Sequence, residues 1–143
     1  MDLDEEEFAY TKIINMNRNK KHSIVIGGNP DKQDLDIIIS FFNKLNFDIQ
    51  ILPYLDTCQT DYNKINTNYK ALTEYKSMYI FFVVNKQDYI DISTLNLMKQ
   101  AFSLGAELYI YNNIYEPYKK ELFNLNVKYL HNNIDNFIER FKW

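Results

Sequence analysis

The stretch MYIFFVVN, residues 78–85, decides the fold predicted for this chain. Its apolar side chains follow one another without the alternation of a half-exposed strand, so both faces of the strand should be covered. A strand covered on both faces lies inside a parallel sheet, with helices packed above and below it. The expected architecture is therefore α/β, with this strand near the centre of the sheet.

Four more strands are predicted on either side of this stretch. SIVIGG, residues 23–28, is a short β-branched run that ends in glycine, which is typical of a buried strand. The other three are DIQILPYL, ELYIYNN and VKYLH, at residues 48–55, 107–113 and 127–131. Pro53 marks the end of its strand or an edge position, because proline cannot donate a backbone hydrogen bond within a sheet.

Helices are predicted between the strands. Apolar residues recur at helical spacing in residues 34–47, where Asp34 is the expected N-cap, and in residues 91–107, where Gly105 suits the helix end. Further helices are predicted around residues 65–74, near Pro117, and in residues 134–143.

This alternation of strands and helices predicts a three-layer α/β sandwich with a five-stranded parallel sheet. Right-handed crossovers leave few strand orders, and the flavodoxin-like order 2-1-3-4-5 is the one we expect. Residues 22–143 should form a single domain. Residues 1–21 are acidic at their start and carry a weak apolar stripe, so they are expected to form an N-terminal arm, a short helix or a flexible extension.

Composition argues against several classes of protein. The net charge of −3 is not that of a nucleic-acid binder, which normally carries a basic face. The single cysteine, Cys58, excludes an intramolecular disulfide, and the two histidines lack metal-ligand spacing, so no metal or other cofactor is expected. No apolar run approaches the ~18–20 residues of a membrane span. The start of the chain does not resemble a signal peptide, so we expect a cytoplasmic protein that binds neither nucleic acid nor membrane.

Ligands of open parallel sheets bind beyond the carboxyl ends of the strands, at the point where the strand order switches. Polar residues and glycines follow the first, third and fourth strands there. The predicted ligand-binding residues are Gly27, Gly28, Asn29, Asp31, Gln33, Asn85, Asp88, Tyr89, Ser93, Thr94 and Asn112.

Each of these residues also has a structural interpretation. Gly27 and Gly28 are as consistent with a tight structural corner as with a ligand cradle, because three spaced glycines and a P-loop lysine motif are both absent. Ser93 and Thr94 are typical of a helix cap. Asp88 and Asp91 are the candidate catalytic carboxylates if the protein is an enzyme, and ordinary solvated loop residues otherwise.

Two segments resemble the nucleoside 2-deoxyribosyltransferase-like family, a flavodoxin-like group that includes nucleotide N-glycosidases. GGNPDKQ, residues 27–33, is similar to the family's turn after the first strand, with its Gly and Gln. STLNLMKQAFSLG, residues 93–105, is similar to the family's helix, small-Thr-x-x-Glu-x-x-x-Ala-x-x-x-Gly, at Thr94, Ala101 and Gly105. The similarity covers roughly residues 23–111 and implies a pocket for a nucleoside, a nucleotide or an ADP-ribose-like molecule.

The resemblance fails at the family's nucleophilic glutamate, which falls on Leu97. A leucine cannot attack the sugar or stabilise an oxocarbenium-like transition state, because both tasks need a carboxylate. The same helix also resembles that of TIR domains, whose glutamate is likewise missing.

Three functions follow as alternatives. The first is a non-catalytic domain that binds a nucleotide-derived small molecule, and it is the one the sequence favours. The second is an N-glycosidase or deoxyribosyltransferase-type enzyme with rearranged acids, using Asp88 or Asp91. The third is a protein-interaction module, indicated by 12 Tyr and 10 Phe in 143 residues. A homodimer is compatible with all three.

Overall fold

The computed structural model describes residues 22–55, 61–75, 79–86, 88 and 90–141. The predicted N-terminal arm, residues 1–21, lies outside the described residues. The strands are β1 (Ser23–Asn29), β2 (Asp48–Ile51), β3 (Ile80–Asn85), β4 (Glu107–Ile110) and β5 (Lys128–Tyr129). The helices are α1 (Lys32–Lys44), α2 (Tyr62–Glu74), α3 (Ile92–Ser103), α4 (Glu116–Leu122), which continues into a 3-10 turn (Phe123–Leu125), and α5 (Asn136–Arg140).

The strands form one parallel sheet in the order β2-β1-β3-β4-β5, which confirms the predicted flavodoxin-like topology. β3 is the central strand, and all six of its residues are buried, as its unbroken apolar run indicated. β2 and β3 lie on opposite sides of β1. The strand order therefore switches direction between β1 and β3.

Helices cover both faces of the sheet. On one face, Ile38 and Phe42 of α1 and Phe137 of α5 pack with Phe82 of β3. The ring of Phe42 contacts those of Phe82 and Phe137 edge to face, at centroid distances of 5.2 and 4.9 Å. Burying each of these rings contributes about 1.5–3 kcal/mol. This face is therefore held largely by aromatic side chains.

The opposite face carries a second core. Leu72 of α2 and the α3 residues Leu97, Met98 and Ala101 pack with Phe81 of β3. Since α1 and α3 lie on opposite faces, the loops that enter them leave the sheet in opposite directions.

The N-cap predicted for the first helix was wrong by one turn. α1 begins at Lys32, and its N-cap is Asp31, whose backbone is extended. Asp34 instead lies in the first turn, where a carboxylate is also favoured by the partial positive charge of the helix end. Both positions favour aspartate, so the sequence did not separate them.

The two glycines lie within β1 and do not form a turn after it. Gly27 and Gly28 pair with Val83 and Val84 of β3. Gly28 has a φ of +105°, which side chains other than glycine rarely adopt, and a Cβ there would overlap the carbonyl oxygen of Val84. Glycine is therefore required at residue 28 by the close approach of two strands.

Replacing Gly28 by alanine tests this close approach. We expect Gly28→Ala to lower the free energy of unfolding by about 3 kcal/mol or more, because the new Cβ adds a backbone overlap to an unfavourable φ. Gly105→Ala is the matched control: Gly105 is exposed and has a φ of +92°, so it should cost only about 1 kcal/mol. Urea denaturation measures both, and equal costs would contradict the argument.

Candidate functional site

The candidate site lies at the carboxyl ends of β1 and β3, where the strand order switches, and we call this place the crevice. Asn29, the last residue of β1, is paired in register with Asn85, the last residue of β3. α1 leaves this point towards one face of the sheet and α3 towards the other. Such a divergence of loops is where open α/β sheets hold their ligands.

Asn85 forms the floor of the crevice. It is only 3% exposed, and its backbone N–H donates to the Oδ1 of Asn112 at 2.6 Å. In the part of the chain that the structure describes, neither Oδ1 nor Nδ2 of Asn85 has a hydrogen-bond partner. Its Oδ1 would lie 3.0 Å from a Cβ on Gly28, so the carboxamide sits against the glycine of the neighbouring strand. A buried polar group left unsatisfied costs about 1–3 kcal/mol.

Two other buried oxygens lack hydrogen-bond partners among the described residues, and neither lies at this edge of the sheet. The hydroxyl of Tyr79 lies at the amino end of β3, where burial, and secondarily Tyr75, raises the pKa of Tyr79 to about 12. The Oε2 of Glu107, at the start of β4, is 3.6 Å from the Nζ of Lys128. Asn85 is therefore the unsatisfied group that belongs to the crevice.

Asn68 of α2 shows what a structural buried asparagine looks like in the same protein. It is 2% exposed, much like Asn85. Its Oδ1 accepts from the backbone N–H of Tyr54 at 3.1 Å, and its Nδ2 donates to the carbonyl of Tyr54 at 2.9 Å. Asn68 thus fixes the chain beyond β2 by pairing with both backbone polar groups of Tyr54.

Carboxylates lie on the α1 side of the crevice. Burial raises the pKa of Asp34, and the neighbouring Asp31 raises it further. The pKa of Tyr111, the residue after β4, is also raised, mainly by burial and in addition by the charge of Asp34. Asp31 makes no side-chain capping hydrogen bond to the described first turn of α1.

On the α3 side, Asp91 is the N-cap, a role the sequence had suggested for Ser93 and Thr94. Its Oδ1 accepts from the backbone N–H of Thr94 at 3.3 Å. Burial raises the pKa of Asp91, while hydrogen bonds from Thr94 and Ser93 oppose that rise. Thr94 is buried beside its cap, and Ser93 is half-buried. Asp88 is exposed, and its backbone carbonyl accepts from the N–H of Tyr115 at 2.7 Å.

The remaining predicted site residues fall into three groups. Gly27 and Gly28 are buried strand residues that face neighbouring side chains and backbone. Asn29 is half-buried at the end of β1, Gln33 is exposed in the first turn of α1, and Asn112 is buried and holds Asn85. Tyr89 lies outside the described residues.

Sequence reasoning did not include Asp34 and Tyr111 among the site residues. Asp34 follows Asp31 by one helical turn, and Tyr111 directly precedes Asn112. Their closeness along the chain to predicted site residues was the signal that could have identified both. Leu97, the position of the nucleophile in the resembling family, is 5% exposed and belongs to the core beneath α3.

Comparison of the chain with protein-family models, curated proteins and solved structures gave no match. The resemblance to nucleoside 2-deoxyribosyltransferases and to TIR domains therefore stays a prediction. Within the described ranges, the helices are too short or too polar to cross a membrane. The same residues contain no group of three or more His, Cys, Asp or Glu side chains arranged to hold a metal ion.

Leucine substitutions at the two buried asparagines test whether Asn85 is a stability defect. Leucine has a similar shape but no polar atoms. We expect Asn85→Leu to leave the free energy of unfolding unchanged or raise it by up to about 2 kcal/mol, since an unsatisfied amide is removed. We expect Asn68→Leu to lower it by about 2 kcal/mol, since the backbone N–H and carbonyl of Tyr54 both lose their partner.

Chemical denaturation of the ligand-free protein measures both variants against the wild type. Similar losses at the two positions would contradict the assignment, because they would mean that the Asn85 amide is hydrogen-bonded in the free protein.

Proposed function

We propose that this protein binds, without catalysis, a nucleoside- or nucleotide-derived small molecule in the crevice between β1 and β3. The observation that carries the proposal is the buried, unsatisfied carboxamide of Asn85. A carboxamide offers one acceptor and two donors in a plane, and the edge of a nucleobase offers the complementary pair. A bound base would satisfy the Asn85 groups that lack partners among the described residues.

Binding requires the crevice to open. Both polar atoms of Asn85 are shielded from solvent, so a ligand reaches them only when the side chain turns outwards or the turn after β3 moves aside. The free energy lost by burying the amide in the free protein is then recovered on binding. A ligand that forms hydrogen bonds with the Asn85 amide therefore gains more binding free energy than an apolar ligand does.

The non-catalytic part of the proposal rests on how the acidic residues near the crevice are used. Asp91 caps α3, and Leu97 is packed in the core. Asp88 is exposed to solvent. On the α1 side, Asp31 is exposed and Asp34 lies in the first turn of the helix. A glycosidase needs two carboxyl groups held on either side of the scissile bond, and Asp91, the half-buried acid on the α3 side, is engaged as a cap.

A ligand screen tests the proposal. Melting temperature and titration calorimetry would be measured with nucleosides, nucleotides, NAD and cyclic ADP-ribose species at millimolar concentrations. We expect at least one of these compounds to stabilise the wild type, because a ligand that binds only the folded state raises its stability. Asn85→Leu should lose this effect. Asn124→Leu, at an exposed position of the 3-10 turn, is the matched control and should retain it.

The same mixtures, analysed by chromatography after incubation, decide between a binder and an enzyme. We expect the ligands to be recovered intact. Cleavage that disappears in Asp88→Asn or Asp91→Asn would favour the enzyme, and Asn keeps the cap at residue 91. Absence of stabilisation by every compound would reject the binding proposal for these ligands.

A protein-interaction role is the second candidate, and the surface of α4 favours it. Phe123 is 83% exposed, and Tyr115 and Tyr118 are exposed on the same short segment. An open depression of about 440 Å³ is lined there by Glu116, Pro117, Lys119, Lys120 and Phe123. Aromatic residues are enriched at the cores of interfaces.

Light scattering over a range of concentrations tests this surface. If α4 forms an interface between copies, the apparent mass should rise with concentration for the wild type and stay at 17.2 kDa for Phe123→Ser. Ile92→Ser, another exposed apolar position on α3, is the control. A wild type that stays monomeric would contradict self-association through this surface.

A further inference from the structure

The loops that border the crevice carry more acid than base. The segment 29–34 contains Asp31, Lys32 and Asp34, and the segment 85–91 contains Lys86, Asp88 and Asp91. Four carboxylates and two ammonium groups give these loops a net charge of −2. An anionic ligand entering the crevice therefore approaches a surface of its own sign.

The two helix N-termini at the crevice carry carboxylates as well, although only that of Asp91 accepts a capping hydrogen bond among the described residues. A helix N-terminus is where α/β proteins commonly bind phosphate, because free N–H groups and the helix dipole point at the anion. In α3, the N–H of Thr94 already donates to the carboxylate of Asp91. In α1, Asp31 is the N-cap and Asp34 lies in the first turn. Each place that would suit a phosphate group holds a negative charge of the protein.

The basic residues of these loops do not cancel the negative charge of the acidic ones. Lys32 and Lys86 are both exposed, so water and salt screen their charges more strongly than those of Asp34 and Asp91, which are half-buried. The group at the floor of the crevice is the neutral amide of Asn85, which has both donor and acceptor atoms without partners among the described residues. It is suited to an uncharged polar edge and brings no positive charge to the site.

We propose that the crevice selects uncharged ligands, such as a free nucleoside or nucleobase, and rejects their phosphorylated forms. This inference rests on the proposed binding function of the same crevice and narrows its ligand class. Selection comes mainly from repulsion by the half-buried Asp34 and Asp91, with a smaller contribution from the exposed Asp31, while the Asn85 amide supplies attraction without regard to phosphorylation. A site can discriminate through such a repulsive element as well as through an attractive one.

Paired ligands test the inference on the full-length chain. Adenosine would be compared with AMP, and cytidine with CMP, by titration calorimetry at low salt and at about 0.5 M salt. We expect each nucleoside to bind at least about tenfold more tightly than its 5′-monophosphate at low salt, and the ratio to shrink at high salt.

Neutralising the acids at the crevice should also reduce the ratio of nucleoside affinity to monophosphate affinity. In Asp31→Asn/Asp34→Asn, where asparagine still suits the N-cap, we expect the monophosphate to gain affinity while the nucleoside changes little. Glu121→Gln/Glu139→Gln removes the same charge from exposed positions on α4 and α5 and should leave the ratio unchanged.

The outcomes separate the two proposals. A monophosphate that binds as tightly as its nucleoside, or a ratio unaffected by both salt and Asp31→Asn/Asp34→Asn, overturns the selection for uncharged ligands and leaves the binding function intact. Failure of every nucleoside and nucleotide to bind overturns the binding function, and the inference with it.

Discussion

The close approach of β1 to β3 at Gly28 is the constraint on which the candidate site depends. The backbone of Gly28 packs against the carbonyl of Val84, and no side chain fits between them. This contact brings the ends of the two strands level, so that Asn29 lies opposite Asn85. α1 and α3 then leave towards opposite faces, and the candidate site lies where they part. The glycine motif therefore contributes to the site by shaping the sheet, and a direct contact with ligand is not needed to explain it.

The two buried asparagines show how the same residue type can serve stability or oppose it. Asn68 pairs with the backbone N–H and carbonyl of Tyr54, and the chain beyond β2 is fixed as a result. Asn85 is equally buried, yet both of its side-chain polar atoms lack partners among the described residues. Unsatisfied polar groups are rare in natural interiors, since each costs free energy. The amide of Asn85 lies at the point where the strand order switches. Residues that lower stability in this way concentrate at functional sites.

The sequence was sufficient for the fold because its signals were long and redundant. The run at residues 80–85 could only be a strand covered on both faces, and five strand–helix alternations leave few topologies. The site depended on shorter signals. Asp31 and Asp34 are three residues apart, and an acidic residue is favoured at both positions. The sequence therefore did not show which of the two caps α1. Nothing local distinguishes Asn85 from Asn68, because satisfaction of an amide depends on backbone brought from residues far along the chain.

The burial of Leu97 bears on the binding proposal, because the family resemblance places a catalytic glutamate at this residue. Leu97 packs in the core between α3 and the sheet, together with Met98 and Ala101. A carboxylate at residue 97 would be desolvated there, which raises its pKa and costs several kcal/mol unless a partner is supplied. A glutamate introduced at residue 97 would therefore be a protonated or destabilising acid and not a nucleophile. Any catalysis would have to come from the loop carboxylates. Asp91 among them already has a structural task, so binding is the function that this arrangement of α3 permits most readily.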